Sequence, residues 1–144
     1  MVCKHSAMAR IRGGEMIPSL RGTVRMFQEA DGVLVVAQIY GLPETESNFF
    51  GFHIHEGESC GGVRFADTAG HYDPQSARHP GHAGDLPPLL SCGGKAFLAV
   101  KTDRFRLPDV FGRTVVIHSQ RDDFKSQPAG DAGAKIACGK ICPM

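Results

Sequence analysis

Phe52-His53-Ile54-His55-Glu56 sets the reading of the whole chain, because it places two imidazoles two residues apart in a stretch with the alternation of a β-strand. Side chains at i and i+2 of a strand share a face, so His53 and His55 point the same way while Phe52 and Ile54 point the other. Two neutral imidazoles converging from one rigid element suit a copper or zinc ion. Of the seven histidines in the chain, only His5 lies outside the span from His53 to His118. His5 reads as a residue of a flexible tail over residues 1–5.

Working outward, 144 residues predict a single domain over 1–144 with a real core. Sixteen basic and 15 acidic residues are interspersed and leave a formal charge of +1, which gives no footprint for nucleic acid or for a membrane surface. Eighteen glycines, nine prolines, no tryptophan and no apolar run of bilayer length point to a turn-rich β protein. The first ten residues, Met1 to Arg10, lack the apolar core of a secretory signal, so the chain as written reads as cytoplasmic, or as exported if a leader has been removed. Five cysteines allow at most two disulfides and leave one thiol over.

Periodicity predicts eight short strands: residues 6–12, 21–28, 33–40, 48–55, 86–90, 95–102, 113–118 and 135–141. Asp31-Gly32 is a type I′ hairpin signal between the second and third. Leu107 to Gly112 has room for one helical turn. From Glu56 to about Pro88 neither a helix nor a strand template fits, and a loop of that length inside a compact domain needs something to order it. Residues 120–134 form a second polar loop. Eight antiparallel strands with two long loops predict an all-β Greek-key β-sandwich or flattened barrel.

Inside the first long loop, His71, His79, His82 and Asp85 stand at spacings of eight, three and three. Three imidazoles and a carboxylate make a closed tetrahedral zinc shell. That leaves His53, His55 and His118, from two strands, for a second ion; copper fits a nitrogen-rich set best and zinc next.

With these residues in view, the chain resembles the Cu,Zn superoxide dismutase family. Gly51-Phe-His-Ile-His-Glu56 resembles its copper signature, Ala69-Gly-His-Tyr-Asp-Pro74 the segment of its bridging histidine, and His82-Ala-Gly-Asp-Leu86 its zinc segment. Val115-Val-Ile-His-Ser119 with Asp122 resembles its third copper strand, and Gly130 to Gly139 its C-terminal segment. The likeness runs from about residue 7 to residue 141 in consistent order. It implies that His53, His55, His71 and His118 bind copper, that His71, His79, His82 and Asp85 bind zinc, and that His71 bridges the two ions, one of each per chain. It also implies that Asp122 connects His53 with His79 from behind, although on composition alone Asp123 is an equal candidate. Cys60 and Cys138 match the family's disulfide; Cys3, Cys92 and Cys142 have no counterpart.

The implied activity is disproportionation of superoxide to oxygen and hydrogen peroxide. A metal-storage protein and an inert interaction sandwich are the competing readings, and neither needs the complete ligand set. Two features depart from the family pattern. Lys135 stands where an arginine usually guides the anion, and lysine lacks arginine's planar fork. The loop 120–134 is short, as in bacterial members, which leaves Lys125 and Lys135 as the steering charges. A homodimer is compatible with the resemblance but is not readable from the chain.

Overall fold

Alternate residues of the first three strands point inward: Ala7, Ala9 and Ile11 from β1 (Ser6–Gly13), Val24 and Met26 from β2 (Arg21–Glu29), and Val33, Val35, Ala37 and Ile39 from β3 (Gly32–Tyr40). These positions come from a computed structural model, which describes residues 5–144. Cys3 and most of the expected tail lie outside that range. His5 is exposed, and its carbonyl accepts a hydrogen bond from the Gln28 N–H at 2.8 Å.

Six further strands follow among the described residues: β4 (Phe49–Phe50), β5 (Phe52–His55), β6 (Leu89–Leu90), β7 (Lys95–Thr102), β8 (Thr114–His118) and β9 (Lys135–Pro143). Seven of the nine form one curled antiparallel sheet in the order β5-β8-β9-β1-β2-β3-β7, a half-barrel with the crossovers of a Greek key, while β4 and β6 pair separately. The apolar faces enclose one core, to which Phe50, Phe52, Ile54, Leu89, Val115, Ile117, Ile136 and Ile141 contribute from the strands after β3. A 3-10 turn, Leu107–Val110, falls inside the stretch expected to hold a helical turn and buries Leu107 and Val110.

Four expectations change. The strand expected over 48–55 is two strands, because at Gly51 the chain leaves one partner for another: the Gly51 N–H donates to Gln120 O and its carbonyl accepts from the His118 N–H, both at 2.8 Å. A Cβ at residue 51 would come within 2.7 Å of the Ala132 Cβ, so the crossing needs glycine. The strand expected over 86–90 shrinks to Leu89–Leu90, since Pro87 and Pro88 have no N–H to donate. The β2–β3 hairpin is present, but Glu29 pairs with Gly32, so its central residues are Ala30 and Asp31, and neither has the positive φ of a type I′ turn. Finally, Val63–Thr68 forms 3-10 turns in the loop that fitted no template, with Arg64 and Phe65 left-handed at φ 54° and 61°.

That loop is ordered largely by its own backbone. Tyr72 N–H donates to Ile54 O, Ile54 N–H to Gly84 O, and Gly84 N–H to Tyr72 O, at 2.8, 2.8 and 2.9 Å. Through these bonds two loop segments cover the free edge of β5, which otherwise would be an unpaired strand edge.

Cys60 and Cys138 form a disulfide, with Cα atoms 5.9 Å apart, that fastens this loop to β9. Cys92 and Cys142 are exposed free thiols. Closing so long a loop stabilises the fold by roughly 4.5 kcal/mol in the chain-entropy account. A thiol reductant is therefore expected to lower the melting temperature by several degrees in a calorimetric scan. An unchanged melting temperature with the bond verifiably reduced would show that the link contributes nothing.

Candidate metal centre

The alternation that sends Phe52 and Ile54 into the core turns His53 and His55 to the opposite face, beneath the long loops, where they are 0% and 2% exposed. β8 pairs alongside, with His53 opposite Val116, and its register shifts between Ile117 and His118, so the irregularity re-aims His118 toward the same space. On the other edge of β5, isolated bridges set His71 opposite His55 and Asp85 opposite His53. The backbone alone thus brings strand and loop ligands together.

Two clusters result. His53, His55, His71 and His118 offer ligand atoms within 4.8 Å of one another, and so do His53, His71, His79 and Asp85. His82 joins the second cluster, its Nδ1 standing 3.2 Å from His71 Nδ1 and 3.1 Å from Asp85 Oδ2. His79 Nδ1 is also 3.1 Å from Asp85 Oδ2. His53 has a single nitrogen free for an ion, because its Nε2–H donates to Asp122 Oδ2 at 2.7 Å. His71 lies between the sets: its Nδ1 is 2.8 Å from Asp85 Oδ1, and its Nε2 faces away from that contact without a partner.

Hydrogen bonding fixes the tautomers, and the tautomers show what the clusters can hold. His55 donates from Nδ1 to Ala69 O at 2.9 Å and His118 from Nδ1 to Gly133 O at 3.2 Å. Their Nε2 atoms are then both acceptors, yet they face each other at 3.2 Å with no proton between them. Two nitrogens held about 2.0 Å from one ion at a tetrahedral angle would be about 3.3 Å apart, so a cation fits between them. His53 Nδ1, His71 Nε2 and His79 Nδ1 are buried with no hydrogen-bond partner, which is costly unless something binds there. The residues present fit a pair of metal ions.

Electrostatics agrees. Burial pushes the His55 imidazole down to about 2 and His118 down to about 3, so both rings stay neutral and ligand-competent across the physiological range. Burial also lowers His53, against the pull of Asp122. For Asp122 burial acts upward, but hydrogen bonds from His53, His79 and the Phe124 N–H outweigh it and hold the carboxyl below the usual range. Asp85 behaves alike: burial acts upward, but the hydrogen bond with His71 and the neighbouring His79 and His82 rings outweigh it and hold the carboxyl below its ordinary value.

All the ligand candidates and Asp122 meet here. Asp122 spans the two clusters, with Oδ2 on His53 Nε2 and Oδ1 on His79 Nε2, each at 2.7 Å. Asp123 turns instead to its own loop, accepting from the Lys125 and Ser126 N–H groups at 2.9 and 2.8 Å. Lys135 is half-buried and its Nζ donates to Thr68 Oγ1 and Ala69 O, whereas Lys125 is exposed. Burial pulls the Lys135 pKa below the usual lysine range.

Sequence reasoning passed over three supports. Gln127 clamps His79 by two bonds, Nε2 to its carbonyl at 2.7 Å and Oε1 from its N–H at 2.8 Å. Arg104 holds the Pro80 carbonyl at 2.6 Å. Gly130 leaves room for Asp122, since a Cβ there would lie 2.1 Å from Oδ1 and 2.5 Å from His79 Nε2. None carries a local sequence signal except the glycine, whose φ of 68° marks a turn only once the backbone is known.

Comparison with known proteins gives the same answer. The family model for copper/zinc superoxide dismutase matches residues 20–141. A Cu-Zn superoxide dismutase of Legionella pneumophila is 36% identical over 132 residues, covering 86% of this chain and 79% of that one. The A form from Xenopus laevis is 35% identical over 143 residues, covering 86% and 91%. The structure of the Brucella abortus enzyme superposes with a TM-score of 0.79 at 27% identity, covering 94% of this chain and 99% of the other. With more than half its length inside the family model and these donors gathered at one site, the chain belongs to the copper/zinc superoxide dismutase family.

Proposed function

We propose that the protein disproportionates superoxide at a copper ion held by His53, His55, His71 and His118, beside a zinc ion held by His71, His79, His82 and Asp85. The observation that carries this reading is His71, which offers Nδ1 to one cluster and an unpartnered Nε2 to the other. When bound, the copper supplies the one-electron oxidation and reduction that turn two superoxide anions and two protons into oxygen and hydrogen peroxide, and the zinc supplies fixed charge. The chain's part is to hold geometry: β5 and β8 fix three rings, the loop covers them, and Asp122 orients one ring of each cluster. Metal analysis of purified protein combined with a superoxide-consumption assay tests the reading, and protein with both metals bound yet no activity would reject it.

Lys135 is the candidate for anion guidance. Its ammonium and the His55 ring share the Ala69 carbonyl, which puts a positive charge beside the first cluster. Lys135→Arg is expected to change the rate little, Lys135→Ala to lower it severalfold, and Lys135→Glu to lower it most. Because charges are screened over about 10 Å at 0.1 M salt, wild-type rates should fall as ionic strength rises, and the alanine variant should fall less. Superimposable pulse-radiolysis curves for wild type and Lys135→Glu would remove the guiding role.

Phe49 and Leu90 pair across β4 and β6 and are 39% and 55% exposed, and Phe97 of β7 is 67% exposed. These exposed apolar side chains are what supports the homodimer that the sequence leaves open, and sedimentation of the purified protein as a monomer would reject it.

A further inference from the structure

We infer that Thr68 is a positioning residue for Lys135, fixing where its ammonium stands beside the metal centre; the inference rests on the guiding role proposed for Lys135. Thr68 ends the 3-10 segment Val63–Thr68 and is fully buried. Its hydroxyl donates to Phe65 O at 2.8 Å, which commits its only proton, so Oγ1 meets the Lys135 ammonium as an acceptor at 2.7 Å. The next residue, Ala69, takes φ 57° and ψ −146°, a conformation that residues with a Cβ rarely hold unless the surroundings impose it. Its N–H donates to Ala66 O at 3.1 Å, and its carbonyl accepts from both His55 Nδ1 and Lys135 Nζ at 2.9 Å. Ring, strained peptide and ammonium are thereby held as one unit.

The consequence follows from counting donors. An ammonium has three N–H bonds, and Thr68 and Ala69 take two, which leaves one with a fixed direction for an arriving anion. Without the Thr68 hydroxyl the charge remains but its direction is lost. Long-range steering depends on the charge, whereas final docking depends on its place, so the two losses have different signatures.

The test uses copper- and zinc-loaded protein, with pulse-radiolysis rates measured across a salt series. Thr68→Val is expected to lower the rate about threefold at every salt concentration, an effect of placement that leaves the wild-type salt slope and metal content in place. Lys135→Ala should lower the rate and flatten the slope, Thr68→Ser should restore wild-type behaviour, and Thr68→Val in the Lys135→Ala background should add nothing. Should Thr68→Val fail to fold or load metal, Thr68→Ala takes its place in the same comparison. A wild-type rate in the hydroxyl-free variant overturns the inference, as does an equal further loss in the Lys135→Ala background. If Lys135→Ala itself keeps wild-type rate and slope, the guiding role falls and this inference falls with it.

Discussion

His118→Ala is expected to abolish copper binding and with it superoxide consumption, while zinc and the fold remain. The His118 Nε2 faces His55 Nε2 at 3.2 Å, and the residue belongs to the first cluster alone. Its removal takes away one of four donors, a larger injury than the roughly 10–100-fold in affinity or activity that loss of an outer partner costs. The zinc donors, His71 Nδ1, His79, His82 and Asp85, keep their mutual geometry, because none of them bonds to the His118 ring. The strand also survives: the His118 contact that sets the chain crossing at Gly51 is made by its backbone N–H, which alanine retains. Elemental analysis, far-ultraviolet circular dichroism and an activity assay on the same preparation check all three parts. A variant that keeps copper at wild-type occupancy and remains active would refute the ligand role.

Why this site was so legible in the sequence has a physical reason. His53 and His55 sit in a strand whose period of two fixes their common face before any tertiary contact is known. The same period of two underlies the strands read over 6–12 and 21–28, although which face of each turns inward is settled only by the packed sheet. Where the reading failed, the deciding partner lay elsewhere in the chain. An apolar run such as Phe49–Ile54 reads alike whether it pairs with one strand or crosses between two, and the crossing is set by Gln120, His118 and Ala132, all distant in sequence. The Val63–Thr68 turns have no hydrophobic period, because only Thr68 in them is buried. Asp122 and Asp123 could not be told apart locally, since adjacent loop acids differ only in which way the backbone turns them. The bond from Lys135 to Thr68 spans 67 residues, and neither residue alone suggests it.

Asp122→Asn is expected to weaken zinc by roughly 10–100-fold and copper by less, although the residue touches neither ion. In the wild type the carboxylate accepts from two imidazole N–H groups, His53 Nε2–H and His79 Nε2–H, besides the Phe124 N–H, and so leaves both Nδ1 atoms as lone pairs turned toward the clusters. Asparagine accepts with one atom and donates with the other. One of the two histidines must then face an amide N–H with its own N–H, or move its proton to Nδ1 and cease to be a ligand. His53 resists, because β5 holds its backbone against β8 in fixed register. His79 lies in the loop, steadied mainly by Gln127, and it yields first. Acid stability should change too. Asp122 has a folded-state pKa below the usual carboxylate value, so its contribution to the metal-free protein is complete above about pH 4 and is lost as the pH falls through and below that value. The variant lacks this component, and its stability should depend less steeply on pH in that acid range. Chelator competition with zinc alone and with copper alone separates the two affinities, and acid titration of the metal-free forms supplies the independent check. Wild-type affinities for both metals would show that the rings are oriented by the loop backbone without the carboxylate. Equal losses for both metals would show instead that β5 gives His53 no more rigidity than the loop gives His79.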